Sequence, residues 1–209
     1  NRYKLNGKSY HMPMHGFVKD IPFAVEEITD NSTTLWTDNS DSLMKGTYPF
    51  KFKFKVKYSV VRGTLRIEAT VINESEQDMP HSMGWHPYFA VSDKKALEFS
   101  QNYQRHYDYI NCRFHKHNKP IDLTERLDNV YCDPLDYSFA LINKADGYGV
   151  TLSFDEVYKT LVVYTENHDS ICLEPWIGIP DSINRNEYIS YVKPNSSETY
   201  NLNIEVERI

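Results

Sequence analysis

The 209-residue chain reads as an all-β protein, a large antiparallel β-sandwich, on three observations. From Phe50 to Tyr58, apolar Phe50, Phe52, Phe54, Val56 and Tyr58 alternate with Lys51, Lys53, Lys55 and Lys57, the period of a half-buried strand. Similar alternation returns at Leu65–Val71, Val150–Phe154 and Tyr200–Val206. No long amphipathic helical pattern competes, and turn-forming Asn, Asp, Gly and Pro separate the short apolar runs.

In chain order, Tyr3, Leu5 and Tyr10 flank Asn6-Gly7-Lys8, a hairpin signal that places the first residues mid-sheet. Met12-Pro13-Met14-His15-Gly16-Phe17 has loop chemistry, because Pro13 cannot donate to a ladder and Gly16 allows close backbone approach. Pro13 also argues against a helical metal pair from His11 and His15. The lysine row fits solvation and edge protection of a strand better than an anion-binding stripe. Gly63 turns the chain into an antiparallel partner, where Leu65, Ile67, Ala69 and Val71 alternate with Arg66, Glu68 and Thr70. Residues 101–137 are the least regular, with His106, His115 and His117 among Arg105, Arg113, Lys116 and Lys119, and read as a long loop. Leu161-Val162-Val163-Tyr164 is a further apolar strand.

Composition bounds the function classes. A hydrophobic content of 40% supplies one substantial core, and the whole chain, 1–209, is read as a single domain. A formal charge of -6 and a pI near 5.7 argue against a general nucleic-acid binder, which needs a basic surface. Cys112, Cys132 and Cys172 give neither a disulfide framework nor a zinc spacing, and a reducing cytoplasmic setting is the simpler reading. No apolar run has transmembrane length and no leader is visible in the given residues, so no membrane is expected. The cations around His115-Lys116-His117 oppose a metal site there, no phosphate loop is present, and neither metal nor cofactor is expected.

Two segments carry candidate chemistry. Met83-Gly84-Trp85-His86-Pro87-Tyr88-Phe89 sets an imidazole among aromatic rings; in extended backbone His86 and Tyr88 share a face while Trp85 takes the other. Leu173-Glu174-Pro175-Trp176 repeats the design with a carboxylate. Each proline places its ionisable neighbour near a strand end. An imidazole and a carboxylate beside aromatic surface suit proton transfer on a sugar, whose apolar C–H face lies against an aromatic ring. The bland readings stand beside these: a strand-end histidine bonded to backbone, and an edge-strand glutamate facing solvent.

The order of Pro13-Met14-His15-Gly16-Phe17, Gly84-Trp85-His86-Pro87-Tyr88-Phe89, Leu135-Asp136 and Cys172-Leu173-Glu174-Pro175-Trp176 resembles the aldose 1-epimerase (galactose mutarotase) family, especially its mutarotase-like bacterial branch. The resemblance covers nearly the whole chain. It implies a galactose mutarotase-like supersandwich and a cofactor-free isomerase that interconverts the α and β anomers of a free aldose. It implies His86 as the acid that protonates the ring oxygen and Glu174 as the base that takes the C1 hydroxyl proton. His15 and Asp136 would bind sugar hydroxyls, with Trp85, Tyr88 and Trp176 lining the site; Tyr137 stands where the family pattern often has histidine after its aspartate, and Asp133 is the fallback. Relatives carry strands and a substrate-binding arginine ahead of the segment resembling Asn1–Gly7, and Arg2 does not match it, so the chain resembles a member lacking its N-terminal portion. A shortened sheet exposes an edge that a homodimer contact would cover. A sugar-binding or regulatory module of the same fold, and a sugar-phosphate 1-epimerase drawing on cations between Arg105 and Lys119, are the alternative readings.

Overall fold

The computed structural model describes residues 2–40, 46–100, 103–108, 113–116, 121–123, 126–165 and 169–209. Asn1, Cys112, His117 and Lys119 lie outside them. The strands are β1 (Arg2–Leu5), β2 (Lys8–His11), β3 (Ala24–Ile28), β4 (Ser32–Asp38), β5 (Phe52–Val61), β6 (Thr64–Asn73), β7 (Met79–His81), β8 (Tyr88–Ala90) and β9 (Leu97–Phe99), then β10 (Tyr103–Asp108), β11 (Arg113–Lys116), β12 (Leu127–Pro134), β13 (Ser138–Asn143), β14 (Tyr148–Phe154), β15 (Thr160–Thr165), β16 (Ser170–Trp176), β17 (Ser190–Val192) and β18 (Ser196–Arg208). One short helix, α1 (Ser182–Arg185), appears among the described residues. No helix among them is long and apolar enough to cross a membrane. The protein is all-β, built from large antiparallel sheets.

The chain divides into two compact units, residues 1–81 with 180–201 and residues 82–179 with 202–209. In the first, β3, β4, β5, β6 and β18 lie side by side in that order. The β5–β6 hairpin follows the predicted alternation: Phe52 and Val56 from β5 and Ile67, Ala69 and Val71 from β6 are buried. Its lysines serve differently from the expected edge protection, because β5 sits between β4 and β6. Lys53 lies 3.8 Å above the Trp36 ring, and Lys55 pairs with Glu26 at 2.6 Å. The strand at the edge is β3, exposed at all five positions. The Asn6-Gly7 hairpin forms with both residues at positive φ, 49° and 77°, but β1 and β2 make a separate two-stranded sheet instead of opening within a larger one.

In the second unit, one sheet runs β11, β10, β12, β15, β16, β8, and β18, β14, β13 and β9 form the other layer. Phe139 of β13 meets Tyr103 of β10 with ring centroids 6.1 Å apart, and Phe99 packs on Phe139 at 5.9 Å. Residues 101–137, expected as a long loop, instead supply β10, β11 and β12. Polar Asp128, Asn129 and Asp133 interrupt the period-two pattern of β12, and ladder bonds to β10 and β15 hold it extended regardless.

Candidate functional site

The site grows from the pairing of β16 with its neighbours. Because β16 lies between β15 and β8, Glu174 is not the solvent-facing edge glutamate that its local sequence allows; it is 1% exposed. Ladder register places Asp128, Tyr164, Cys172 and Tyr88 directly across from one another on successive strands, hence on one face. Glu174, two residues beyond Cys172, shares that face. Ile171, Leu173, Leu161 and Val163 point the other way and are fully buried. Pro87 ends just before β8 begins at Tyr88, and Pro175 and Trp176 are the last residues of β16, so both ionisable groups sit near strand ends, as the prolines predicted.

The His86 Nε2 atom stands 3.3 Å from Glu174 Oε1. The imidazole side chain is 41% exposed and the carboxylate side chain 2%, so a ligand arriving from solvent meets the histidine first. Tyr88 stacks on His86 with centroids 5.0 Å apart and planes within 24°, and Tyr164 approaches the imidazole edge-on at 6.5 Å. Trp176 Nε1 donates to the second carboxylate oxygen, Oε2 of Glu174, at 3.2 Å. Burial pushes the Glu174 carboxyl up to about 8; the Trp176 N–H opposes this and the nearby Asp128 carboxylate adds to it. The Tyr88 hydroxyl is bonded to Cys172, which together with some burial raises the phenol to about 12. Burial raises the Cys172 thiol to about 12.

Gly84 explains how Trp176 reaches this position. The two residues form a β-bridge, and a Cβ on Gly84 would fall 2.2 Å from Trp176 Cδ1. Only glycine lets the indole lie this close to the backbone. Backbone bonds from Trp85 N to Pro175 O (3.1 Å) and from Ile177 N to Met83 O (2.9 Å) hold the two motif segments together.

Of the residues singled out from the sequence, His86, Tyr88, Glu174 and Trp176 converge. Trp85 directs its indole N–H to the hydroxyl of fully buried Tyr158 at 3.0 Å, which suits support of the His86 segment better than lining a sugar site. Asp136 lies in the exposed turn after β12, where its carboxylate accepts from Ser138 N at 3.2 Å. Register separates it from the pair: Val130 is level with Val162 and Glu174, and four strand residues, about 13 Å, run from Val130 to Pro134 before the turn begins. The carboxylate that β12 does bring toward Glu174 is Asp128, which carries no motif signal because its stretch has the composition of a loop. Asp133 is engaged by Arg105, whose guanidinium also lies 4.3 Å over Phe114. His15 belongs to the first unit, in the loop before a 3-10 turn at Val18–Asp20, with φ of 61°. That unit also has an open depression of about 510 Å³ bordered by Ile28, Asp30, Tyr58 and Val60, far simpler in its chemistry, with one carboxylate and no histidine.

The aldose 1-epimerase family model matches residues 1–206. The chain belongs to the aldose 1-epimerase family. Protein LacX, chromosomal, of Lactococcus lactis subsp. lactis is 28% identical over 197 residues, covering 81% of this chain and 64% of the relative. The chain thus spans about 64% of the length of the curated relatives it matches. The crystal structure of Slr1438 protein from Synechocystis sp. PCC 6803 superposes over 100% of this chain and 73% of its own, with a TM-score of 0.93 and 29% identity. A putative aldose 1-epimerase from Escherichia coli K12, 18% identical, shares the fold with a TM-score of 0.84 over 100% of this chain and 79% of its own. The fold is the galactose mutarotase-like one that the motifs implied.

Proposed function

We propose that this member of the aldose 1-epimerase family interconverts the α and β anomers of a free aldose, with Glu174 as base and His86 as acid. The observation that carries the reading is the 3.3 Å approach of His86 Nε2 to the buried Glu174 carboxylate. The two oxygens that exchange protons in mutarotation, the C1 hydroxyl and the ring oxygen, share one carbon. An acid and a base a few ångströms apart therefore match the distance the reaction needs.

In the reactive form Glu174 is a carboxylate and His86 an imidazolium. Glu174 takes the proton of the C1 hydroxyl, the former O1–H electron pair forms the C1=O1 π bond, the bond from C1 to the ring oxygen breaks, and that oxygen, holding the pair, takes the His86 proton. Rotation about C1–C2 presents the other carbonyl face; His86 then recovers its proton as the ring oxygen attacks C1, and Glu174 returns its proton to O1. Every proton is restored and no cofactor takes part. Burial raises the basicity of Glu174 toward the working pH, where a base is most effective. Tyr88, stacked on His86 and exposed at 59%, offers an aromatic face to the sugar, and Asp128 a second carboxylate for its hydroxyls.

Polarimetry on freshly dissolved pure anomers of several aldoses tests the proposal. Wild type should accelerate relaxation with at least one sugar, and Glu174→Gln and His86→Asn should each lower that acceleration by at least about 100-fold. Sugar binding without acceleration would instead identify a carbohydrate-binding module of the same fold.

A further inference from the structure

Cys172 has no part in the proton transfers, yet its sulfur faces both groups that do. The Cys172 thiol, Glu174 carboxylate and His86 imidazole each offer one donor atom, and the three atoms lie within 4.8 Å of one another. Cys172 and Glu174 are alternate residues on one face of β16, and His86 comes from the segment leading into β8, the strand paired with β16. Four ligands at zinc bond lengths stand about 3.3–3.8 Å apart, so the 3.3 Å His86–Glu174 separation already fits and the sulfur has to close by about 1 Å at most. Nitrogen, sulfur and carboxylate oxygen together favour zinc over magnesium or calcium, which prefer oxygen alone.

We propose that His86, Cys172 and Glu174 form a three-ligand site for Zn2+, whose occupation blocks the proposed mutarotation. The surroundings suit such a site. Trp176 Nε1 fixes the Glu174 oxygen that is not facing His86, as outer partners of metal ligands do. The half-open imidazole gives the ion an entry path and leaves a fourth position toward solvent. Tyr88, mostly exposed, gives up its bond to Cys172 to admit the ion. The thiol releases its proton to solvent as the Zn–S bond forms, and the ion takes the lone pairs that His86 and Glu174 use on the sugar. Metal binding itself rests on this geometry alone; only its inhibitory consequence rests on the proposed function.

The test uses chelator-treated full chain titrated with Co2+, followed by absorbance, and with Zn2+, followed by calorimetry. Wild type should bind one equivalent and show a thiolate-to-cobalt charge-transfer band. Cys172→Ser should lose the band and bind Zn2+ at least about tenfold more weakly, while Cys132→Ser and Cys112→Ser keep both. Zn2+ should inhibit wild-type anomer exchange and inhibit Cys172→Ser at least about tenfold less effectively. If Cys172→Ser fails to fold, loss of the band in His86→Asn reads the same site. Absence of binding, or a band that survives in Cys172→Ser, overturns the metal proposal. A cobalt band in a protein without anomer exchange overturns the proposed function and leaves the metal site standing.

Discussion

His86 Nε2 faces Glu174 Oε1 across 3.3 Å, and the carboxylate side of this pair is almost wholly removed from water. A buried carboxylate holds its proton to higher pH, so its ionisation sets when the pair becomes an acid and a base. The ascending limb of the pH–rate profile should therefore lie near pH 8, well above the ordinary carboxylate range. Initial exchange rates from pH 4 to 10 would show it; a limb near pH 4.5 would mean that Glu174 is solvated in the working protein.

The groups around Glu174 should move that limb in opposite directions. The Trp176 N–H favours the carboxylate, so Trp176→Phe should shift the limb to higher pH. Asp128 disfavours it, so Asp128→Asn should shift the limb to lower pH. Shifts of the same sign in both variants would contradict this electrostatic assignment.

Burial of Glu174 also costs stability. The carboxyl is protonated up to about pH 8 when folded but only to about 4.5 when unfolded, so the folded state holds the extra proton between these values and stability falls as pH rises through the window. Glu174→Gln removes the ionisation. Relative to wild type it should gain stability between pH 5 and pH 9, with a ceiling of about 5 kcal/mol, while losing activity. Urea midpoints of both proteins at the two pH values provide the comparison, and a constant difference would refute it.

Gly84 should prove a positioning residue. A Cβ at 2.2 Å from Trp176 Cδ1 forces the indole away, so Gly84→Ala should cost about 1–3 kcal/mol from overpacking. It should also move the ascending limb upward in the manner of Trp176→Phe, because the displaced indole no longer bonds Glu174. Lost stability with an unmoved limb would restrict Gly84 to a packing role.

In the first unit, burial lowers His81 to about 4, and its Nε2 lies 3.0 Å from the Tyr200 hydroxyl. Since the unfolded imidazole binds its proton from about 6.5 downward, stability is present above that pH and is lost as pH falls toward 4. Wild type should lose about 2–3 kcal/mol more than His81→Phe across this window in urea titrations. Parallel losses in the two proteins would remove His81 from the acid response.

Much of the fold was legible because period-two alternation is set by which face meets the core, as β5 and β6 show. The Pro87 and Pro175 signals likewise placed His86 and Glu174 at strand ends. The strand signal is weaker where polar groups occupy the strands themselves. Asp128 breaks the apolar pattern of β12, so this strand has the composition of a loop, and the resemblance at Leu135-Asp136 points to a turn carboxylate instead. Gly84 against Trp176 and Tyr88 across from Cys172 depend on strand pairing, which residue spacing along one chain does not encode.

Anomer-exchange NMR at pH 8, comparing wild type with Glu174→Gln on the sugar that wild type turns over fastest, tests the central claim most directly. Cross-peaks between the α and β anomers should build up faster with wild type than in buffer, and Glu174→Gln should reduce that excess rate by at least about 100-fold with sugar binding retained. A Glu174→Gln rate equal to wild type would contradict the account.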